Sequence, residues 1–581
     1  MVKHIGYNIL KNKGRKVLFL LSIFVIIKTS YFICNIVIFR RIIIKQILTN
    51  KYINLKEQEE LIKDNPHHKN ISKIIEIHNN KYIEETRKKL TILNNINGYP
   101  LDDYQSRVVL SNELATLVVA GAGSGKSLTI IGKIVYLVKI CNINPNDILC
   151  ISFTNDATIN LKNNIKKNYN FDIDIYTFHK LSLSILKSHN IKYTIAEEDL
   201  LTNVIELFFN EIIPTNKIYQ KAIYFILGKN PSNKEILNLK RLITTFINLY
   251  KSNNFPITYY LKILKKIKFT LNIKEYIKNK YLILLIFNIH IMYQDELNKE
   301  QSLDFNDMIN KTIDILDTYG LKKKWKYIIV DEYQDTSITK FNLIKKIIDI
   351  CNANFLAVGD DFQSIYRFTG CNLHIFLNFT KYFNYSKIMP IINTYRNPQE
   401  LINIAGKFVM KNKYQQKKNL VSNKHLSNPV IIYCSNNKIS VLKEILNTIE
   451  SKDIMVLGRN NKDILNYIDD TYKQYNDIHT YNNKSFRYLT IHKSKGLESE
   501  YIILINVEDK LLGLPTKIKD EKLLRYVNNT KDYYPYEEER RLFYVALTRT
   551  KNKTYIISPY KNESIFIKEI KKYKGVIQIK K

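Results

Sequence analysis

A glycine-rich run between an apolar strand pattern and a helix pattern constrains this chain more than any other feature. The run reads VVAGAGSGKS over residues 118–127, with glycines at positions 121, 123 and 125. Glycine lets successive backbone N–H groups turn inward, and a helix over 128–139 would point its positive N-terminus at the same place. Together these groups would surround a triphosphate. The sequence therefore predicts the phosphate-binding loop of a P-loop NTPase.

Two side chains at the end of this run suit the chemistry of such a loop. Lys126 is placed to reach the β- and γ-phosphates, and Ser127 to hold Mg²⁺. The run departs from G-x-x-x-x-G-K-[ST] because Ala120 stands where the first glycine is expected. ATP and Mg²⁺ are therefore the predicted cofactors. The loop residues predicted to contact nucleotide are Ala120, Gly121, Ala122, Gly123, Ser124, Gly125, Lys126 and Ser127.

The length and charge of the chain bear on its organisation and its partner. At 581 residues the chain exceeds what one hydrophobic core organises, so roughly three to four domains are expected. The formal net charge of +35 favours a polyanionic partner. A Lys/Asn/Ile-rich composition that loads every surface with lysine would give the same charge. Charge alone leaves both interpretations open.

The cysteines bear on the compartment. There are six, and no two of them form a C-x-x-C pair. This spacing indicates neither a zinc site, an iron–sulfur cluster nor a disulfide framework. A reducing compartment is therefore expected. The predicted location is the cytoplasm, and membrane attachment depends on the N-terminal segment.

That segment, residues 1–42, contains an almost wholly apolar stretch over 17–39 whose length suits a membrane-spanning helix. Each Leu, Ile, Val or Phe favours insertion by ~0.3–0.6 kcal/mol, whereas Lys28 opposes it by ~2.5–3.5 kcal/mol. Insertion is therefore favourable by a small margin. A cleaved signal peptide would separate a nucleotide-using enzyme from its ATP. We expect a membrane anchor, with a buried or interfacial helix as the alternative.

Polar, helix-prone sequence follows over residues 43–95. Isoleucines recur there at helical spacing, as at Ile71, Ile74 and Ile75. We predict a helical stalk that leads from the N-terminal hydrophobic helix to the enzyme. The stalk is also the candidate docking arm for a protein partner.

Beyond the stalk, short β-rich runs alternate with helical stretches, as in parallel sheets covered by helices on both faces. The predicted fold class is therefore α/β. Residues 410–428 are rich in Lys, Asn and Gln and are expected to form a surface connection. The predicted domains are a first sheet domain over 96–180 and 301–378, an inserted helical domain over 181–300, a second sheet domain over 379–560 and a basic C-terminal tail over 561–581.

An apolar strand pattern over residues 327–330 ends in the acidic pair Asp331 and Glu332. Ligands bind at the C-terminal ends of parallel strands, where the phosphate loop is also expected. Asp331 is placed to hold the Mg²⁺ shared with Ser127, and Glu332 to orient and deprotonate an attacking water. The acidic pair and the loop together predict ATP hydrolysis.

From about residue 100 to residue 558 the chain resembles superfamily 1 helicases of the UvrD/Rep/PcrA type. The ordered motifs that show the resemblance are the phosphate loop, DEYQD at 331–335, VGDDFQSIYR at 358–367, TIHKSKGLE at 490–498 and RRLFYVALTR at 540–549. The segments FTG at 368–370, SEY at 499–501 and GLPTK at 513–517 look closer to the helicase IV branch. The resemblance implies two RecA-like parallel-sheet domains, with ATP between them and single-stranded DNA across their top.

The resemblance also implies residue roles around ATP. Gln105 would contact adenine, Tyr395 would stack on the base, and Glu498 would sit near the ribose and phosphates. A second group would act on the γ-phosphate, with two arginines reaching it from the second domain as cationic fingers. The residues predicted to be catalytic are Lys126, Glu332, Gln363, Arg396 and Arg549.

A path for the nucleic-acid strand is implied in the same way. Aromatic side chains suit it because every base has a π-face, so stacking holds a strand without reading its sequence. The predicted partner is single-stranded DNA or a partial duplex. Phe368 and Thr369 replace a Trp and an Arg often found at those positions. The residues predicted to bind nucleic acid are Phe153, Thr154, Asn155, Thr177, Phe178, His179, Tyr366, Phe368 and His492.

One interval departs from the UvrD type. Arg396 and Thr490 are separated by fewer than 100 residues, too few for the large second helical insertion of UvrD-type enzymes. That subdomain contacts duplex in those enzymes. The resemblance therefore implies ATP-driven translocation, and duplex unwinding is a separate question.

Three functions are compatible with these observations. The leading hypothesis is an ATP-dependent DNA helicase or translocase that moves 3′ to 5′ on single strands, a polarity implied by resemblance. The second is a helicase-like ATPase that remodels a protein or transcription complex. The third is a membrane-tethered nucleic-acid-binding factor whose ATPase has decayed, which the intact lysine, acidic pair and arginines argue against.

Overall fold

The computed structural model describes residues 51–65, 70–267, 272–518, 521–528 and 534–581. The predicted membrane anchor over residues 17–39 lies outside the described residues. Within the described ranges, none of the helices combines the length and the apolar character that a bilayer crossing requires.

The β-strands divide into two large sheets and one small one. In chain order they are β1 (Ala115–Ala120), β2 (Ile148–Ser152), β3 (Asp174–Thr177), β4 (Thr194–Ile195), β5 (Ser302–Leu303), β6 (Tyr327–Val330), β7 (Asn354–Gly359), β8 (Ser386–Ile391), β9 (Val430–Cys434), β10 (Ile454–Gly458), β11 (Lys473–Tyr475), β12 (Ile478–Tyr481), β13 (Lys484–Thr490), β14 (Ser499–Leu504), β15 (Thr550–Ser558) and β16 (Val576–Lys580).

The α-helices cover the sheets and form the inserted domain. In chain order they are α1 (Leu55–Asp64), α2 (Ile71–Lys89), α3 (Asp103–Leu110), α4 (Lys126–Lys139), α5 (Asn155–Tyr169), α6 (Phe178–Ser188), α7 (Leu200–Leu207), α8 (Ile213–Thr215), α9 (Lys217–Leu227), α10 (Asn233–Ser252), α11 (Tyr259–Lys266), α12 (Ile273–Lys299), α13 (Phe305–Tyr319), α14 (Ile338–Cys351), α15 (Leu373–Leu377), α16 (Phe379–Tyr382), α17 (Gln399–Val409), α18 (Lys438–Thr448), α19 (Glu537–Leu547) and α20 (Ile565–Ile570).

The smaller of two compact units includes the described residues up to 91, with α1 and α2. Its small core joins Ile53, Ile71 and Ile75, all at most 4% exposed. The Asn79 side chain accepts a hydrogen bond from the Ile53 amide at 2.9 Å and donates one to its carbonyl at 2.8 Å. This pairing satisfies a buried polar side chain and fastens the segment before α1 to the middle of α2.

The larger unit contains the first sheet, whose strand order is β3-β2-β6-β7-β1-β8. Every neighbouring pair in it is parallel. Strands β1 and β2 are buried along their whole length, as expected where helices cover both faces. Because the strands are parallel, their C-terminal ends meet at one edge. The phosphate loop follows β1 there, the acidic pair follows β6, and Asp360 follows β7.

The last strand of this sheet corrects a predicted boundary. Strand β8 pairs with β1 from Ala115 opposite Ser386 to Ala120 opposite Ile391. The sequence placed these residues in the second domain, which it began at residue 379. The first sheet in fact continues to Ile391, because β8 satisfies its backbone groups on β1.

The inserted domain contains helices α7 to α12 and has a hydrophobic core of its own. The short strands β4 and β5 pair where the chain enters and leaves it. This core also includes Leu523 and Val527, which are 4% and 0% exposed and come from the segment between β14 and α19. Asn253 donates a buried hydrogen bond to the Val527 carbonyl at 3.0 Å. The inserted domain therefore binds a segment that arises from the second sheet domain.

The second sheet has the strand order β11-β12-β13-β10-β14-β15-β9-β16. The six neighbouring strands β13-β10-β14-β15-β9-β16 are all parallel. Strands β11 and β12 form an antiparallel edge beside β13. Between Arg396 and Thr490 the two α-helices are α17 and α18, each of 11 residues. The interval therefore contributes strands and covering helices to the sheet.

The C-terminal region is part of this domain and is not a tail. Strand β16 pairs with β9 along its length. Helix α20 buries Phe566, Ile567 and Ile570 completely. The prediction of a basic tail over residues 561–581 is therefore wrong, because Phe566, Ile567 and Ile570 enter the core and β16 joins the sheet.

Candidate active site

The phosphate loop has the backbone geometry that its glycines allow. Gly123 and Gly125 have φ angles of +71° and +75°, which favour glycine, and α4 begins at Lys126. Ala120 ends β1 as a strand residue. The first position of the loop therefore needs no left-handed conformation, which explains why alanine is accommodated there.

The loop is contacted by chain that follows the last strand of the first sheet. Thr394 Oγ1 donates to the Ala122 carbonyl at 2.7 Å, and the Tyr395 amide donates to the Gly123 carbonyl at 2.9 Å. A Cβ atom at Gly123 would lie 2.4 Å from the Cβ of Arg396. Glycine is therefore required at position 123 for this close approach as well as for its φ angle.

Lys126 and the acidic pair meet at the edge of the sheet. The Lys126 ammonium lies 3.1 Å from Glu332 Oε1 and 3.2 Å from Oε2. Glu332 has a φ angle of +50°, an uncommon value for a side chain of this kind. The Glu332 amide donates to Asp331 Oδ1 at 2.8 Å. The turn after β6 therefore directs both carboxylates towards the loop, and its unusual backbone marks a site under functional constraint.

The two carboxyl groups have opposite pKa shifts. Burial raises the pKa of Asp331 above its ordinary value, and the neighbouring Glu332 charge adds to this effect. Burial would also raise the pKa of Glu332, but the charges of Lys126 and Lys495 outweigh it and lower that pKa. Two adjacent acids with separated pKa values are an arrangement suited to acid–base work. Glu332 is anionic at neutral pH and can accept a hydrogen bond from a water.

Both predicted arginine fingers point to the same region. The Arg549 side chain is buried, and its Nη2 donates to Gln363 Oε1 at 2.8 Å. Burial and the nearby Arg396 lower the pKa of Arg549 to about 9, so it remains cationic at neutral pH. Arg396 Nε donates to Glu498 at 2.8 Å, and the Lys551 ammonium lies 3.0 Å from the same carboxylate. Two guanidinium groups from distant parts of the chain thus flank the phosphate loop.

Tyr395 is exposed to solvent, whereas Gln105 is buried. Tyr395 is 55% exposed, and its hydroxyl donates to Asp102 at 2.7 Å. Gln105 is fully buried, donates to the Ser124 carbonyl at 3.0 Å and accepts from the Asp102 amide at 3.0 Å. The ring of Tyr395 is available for stacking. The amide of Gln105 is engaged with the loop backbone, so a contact with adenine remains a prediction.

A cavity of about 770 Å³ joins these groups. Lys340, Lys424, Lys495 and Lys551 also line it, and no local pattern distinguishes them from the many other lysines of the chain. Gln105, Ala120, Gly121 and Ala122 do not line it. The predicted nucleotide-contacting and catalytic residues that do are Gly123, Ser124, Gly125, Lys126, Ser127, Asp331, Glu332, Gln363, Tyr395, Arg396, Glu498 and Arg549.

The same cavity brings together a donor set that fits Mg²⁺. The Ser127 hydroxyl and the Asp331 carboxylate both line it. Hydroxyl and carboxylate oxygens are the ligands that Mg²⁺ takes beside substrate phosphates. Groups of three or more metal-binding side chains are not found among the described residues. The residues present therefore fit a cation held jointly by protein and nucleotide.

Three predicted strand-binding residues form an aromatic face. The Phe368 and His492 rings lie 5.6 Å apart, and the Tyr366 ring lies 6.1 Å from that of Phe368. Tyr366 donates to the His492 carbonyl at 3.1 Å. Phe368 is 56% exposed. The face joins both sheet domains, because Tyr366 and Phe368 follow β7 whereas His492 follows β13.

A second group of predicted residues is only partly available to a strand. Thr154 and Asn155 are exposed, and Phe153 is half-buried beneath the Lys340 ammonium, which lies 4.7 Å from its ring. His179 contacts Phe305, a 47% exposed ring that sequence reasoning missed, at 4.7 Å between centroids.

The structure corrects one of the predicted strand contacts, at Phe178. Phe178 is 2% exposed and belongs to the core of the first sheet domain, where it packs edge-on against Phe153 at 5.1 Å. The Thr177 side chain accepts from the Lys180 amide and caps α6. The Phe178 ring is used by the core, so it cannot contact a base directly, whereas a strand contact by Thr177 remains a prediction.

The region expected to be a surface connection also differs from its prediction. Within residues 410–428, Lys418 is only 9% exposed and donates to the Ala120 carbonyl at 3.1 Å. Leu420 lies against Gly121, where a Cβ atom would be 2.4 Å from the leucine Cδ1. The connection therefore packs on the phosphate loop. The lysine-rich composition of residues 410–428 gives no indication of this contact with the phosphate loop.

Comparison with known proteins agrees with this geometry. Residues 101–384 match the family described as UvrD/REP helicase N-terminal domain. The chain is therefore similar to UvrD-like superfamily 1 helicases. The family match includes the phosphate loop, the acidic pair and the aromatic segment after β7, so the predicted resemblance is confirmed.

Curated relatives extend the similarity along the chain. DNA helicase IV of Escherichia coli strain K12 is 24% identical over 518 residues, which cover 85% of this chain and 73% of that protein. ATP-dependent DNA helicase Rep of Buchnera aphidicola subsp. Schizaphis graminum is 27% identical, covering 71% of this chain and 63% of the relative. PcrA of Staphylococcus epidermidis RP62A is 26% identical, covering 55% and 41%. This chain therefore spans only part of each relative.

Proposed function

We propose that this protein is an ATP-dependent DNA helicase that couples hydrolysis to movement along single-stranded DNA. The observation that supports the proposal is the convergence on one cavity of Lys126, the acidic pair and two arginines from a different part of the chain. Phosphoryl transfer requires this combination of a positioned water and positive charge on the developing anion. The relatives named as DNA helicases supply the substrate class.

Each residue has a role in this proposal. The loop amides and Lys126 bind the phosphates, and Glu332 orients the attacking water. Arg396 and Arg549 neutralise the charge that develops on the γ-phosphate. Ser127 and Asp331 would hold Mg²⁺, which supplies further positive charge to the phosphates when bound. Gln363 accepts a hydrogen bond from Arg549, so a change at Gln363 on nucleotide binding can be transmitted to the arginine.

Coupling follows from where these groups arise. Arg396 follows the first sheet, and Arg549 lies between α19 and β15 of the second. We propose that the two sheet domains are RecA-like and that hydrolysis changes the distance between them. Tyr366 and His492 also arise from the two domains. A change at the nucleotide would therefore move one part of the aromatic face relative to the other, which would advance a strand in the 3′ to 5′ direction implied by the family.

The test uses the full chain and measures ATP hydrolysis with and without a single-stranded oligonucleotide. We expect strong stimulation by DNA and its loss in Lys126→Ala. Displacement of a strand from duplexes with a 3′ or a 5′ tail then tests unwinding and polarity. Hydrolysis that is indifferent to DNA would contradict the proposal and support the protein-remodelling alternative.

A further inference from the structure

Residues 415–421 lead from α17 to β9 of the second sheet, but they contact the first sheet domain. The Gln416 amide donates to Asp361 Oδ2 at 2.8 Å. Lys418 reaches the Ala120 carbonyl, and Leu420 lies against Gly121. The segment therefore touches both the phosphate loop and the turn that follows β7.

Lys418 is the charged centre of these contacts. Its side chain is 4% exposed, and those of its ion-pair partners Asp360 and Asp361 are fully buried. The ammonium lies 2.6 Å from Asp361 Oδ1 and 4.3 Å from the centre of the Phe362 ring. Carboxylates without water require a cation or several hydrogen bonds. Lys418 thus stabilises two buried charges at once.

Asp360 extends the contact to Gln363, one of the predicted catalytic residues. Its Oδ2 accepts from Gln363 Nε2 at 2.7 Å. The oxygen of the same amide accepts from Arg549 Nη2 at 2.8 Å. Both ends of the Gln363 amide are therefore occupied, and its orientation is set by Asp360 on one side and Arg549 on the other.

We propose that Lys418 is a positioning residue for ATP hydrolysis, which holds Asp360 so that Gln363 presents its amide correctly to Arg549. Gln363 is then held by the second domain in two ways, directly through Arg549 and indirectly through Lys418 and Asp360. Separation of the domains would release both. This inference rests on the proposed ATPase function and adds a residue outside the recognised motifs.

The test is a double-mutant cycle in the full chain. We measure DNA-stimulated kcat and KM for ATP in wild type, Lys418→Met, Gln363→Ala and the double variant. Misplacement of a catalytic group by about 1 Å costs roughly 10²-fold in rate, so we expect Lys418→Met to lower kcat by about 10- to 100-fold. KM should change by less than about threefold, because the nucleotide-binding groups themselves remain. The matched control is Lys417→Met, since Lys417 is an exposed neighbour.

The cycle separates positioning from general stabilisation. If Lys418 acts through Gln363, the double variant hydrolyses ATP no more slowly than Gln363→Ala alone. Losses that multiply, or an unchanged kcat in folded Lys418→Met, would show that the proposal is wrong. If wild type itself lacks DNA-stimulated hydrolysis, the proposed function fails instead.

Removal of Lys418 leaves two buried carboxylates, so the variant could lose its fold. Lys418→Met combined with Asp361→Asn removes one of these charges and keeps an oxygen that can accept from the Gln416 amide. Thermal unfolding identifies which variant is folded, and the cycle is carried out in that background. If neither variant unfolds cooperatively, Lys418 supports the fold as a whole and the positioning role is rejected.

Discussion

The nucleotide cavity and the aromatic face lie at the same edges of the sheets, but they present their side chains differently. In the cavity, Lys126 is paired with Glu332 and the buried Arg549 with Gln363. On the face, Phe368 is 56% exposed and packs against the rings of Tyr366 and His492. Buried charged groups require partners, whereas an aromatic ring can remain exposed at little cost.

This difference separates two kinds of contribution. Cavity residues are held by partners from both sheet domains, so their substitution should change rate through lost positioning and charge. Face residues offer ring area to any base, so their substitution should change affinity. We therefore expect substitutions in the cavity to lower the rate of ATP hydrolysis and substitutions on the face to weaken DNA affinity.

The largest effect is expected for Arg549→Ala. An arginine that neutralises the developing phosphate charge is typically worth about 10³-fold or more in rate. We therefore expect kcat for ATP to fall by at least about 10³-fold, while the Kd for single-stranded DNA changes by less than about threefold. Steady-state hydrolysis and fluorescence anisotropy measure the two quantities.

A matched control is Arg487→Ala, because Arg487 is 52% exposed on β13 and outside the cavity lining. That variant should hydrolyse ATP at the wild-type rate. If Arg549→Ala weakened DNA binding as strongly as hydrolysis, the separation of rate from affinity would be contradicted.

The next effect is expected on the aromatic face. Stacking on one base contributes about 1–3 kcal/mol, which corresponds to roughly 5- to 150-fold in Kd. Phe368→Ala should weaken single-stranded DNA binding within this range and leave DNA-free ATP hydrolysis unchanged.

Tyr475→Ala is the control for this variant, since Tyr475 is 78% exposed on the edge strand β11. Its loss should not change DNA affinity. An unchanged DNA affinity in Phe368→Ala would show that the strand does not use this face.

Salt should affect the two regions to different degrees. Binding to single-stranded phosphates weakens with log salt at a slope of about −0.7 per neutralised phosphate. With about four such contacts, raising salt from about 100 to 300 mM should weaken DNA binding by roughly tenfold or more. The KM for ATP should rise less, because most of the cavity charges are at least partly buried and are screened less. Equal salt slopes in the two titrations would contradict the distinction.

The smallest effect concerns pH. Burial and the charge of Arg459 lower the pKa of His492 to about 4, so the ring is neutral at pH 7. Lowering the pH from 7.5 to 6 should therefore change DNA affinity by less than about twofold, since a group titrating near pH 6.5 would gain charge and tighten binding. His492→Asn should show the same flat profile.

The same shift has a consequence for stability. The pKa of His492 is about 4 in the folded protein and near 6.5 in the unfolded chain, so the unfolded state binds more protons between these values. The stability contributed by the neutral ring is fully present above pH 6.5 and is lost as the pH falls towards 4. The thermal unfolding midpoint should decline in this window, and less steeply in His492→Asn.

Local patterns predicted a large part of the fold and the site. An apolar run indicated a strand over 327–330, and the structure places a strand over the same residues. The phosphate loop and acidic pair were readable because their backbone and charge requirements allow few residue types. Phe178 was misassigned, because an aromatic residue after a strand can enter the core or face a ligand, and only packing distinguishes these outcomes.

The sequence alone determined the phosphate loop, the acidic pair, the order of the family motifs and the α/β class, because these depend on local backbone preference and side-chain chemistry. Only the tertiary structure decided that Lys418 is buried against Asp360, that β8 joins the first sheet, and that Val527 enters the inserted helical core. The physical reason is that these contacts join residues far apart in the chain. A lysine or valine gives no local indication of its distant partner, which is selected by sheet order and packing.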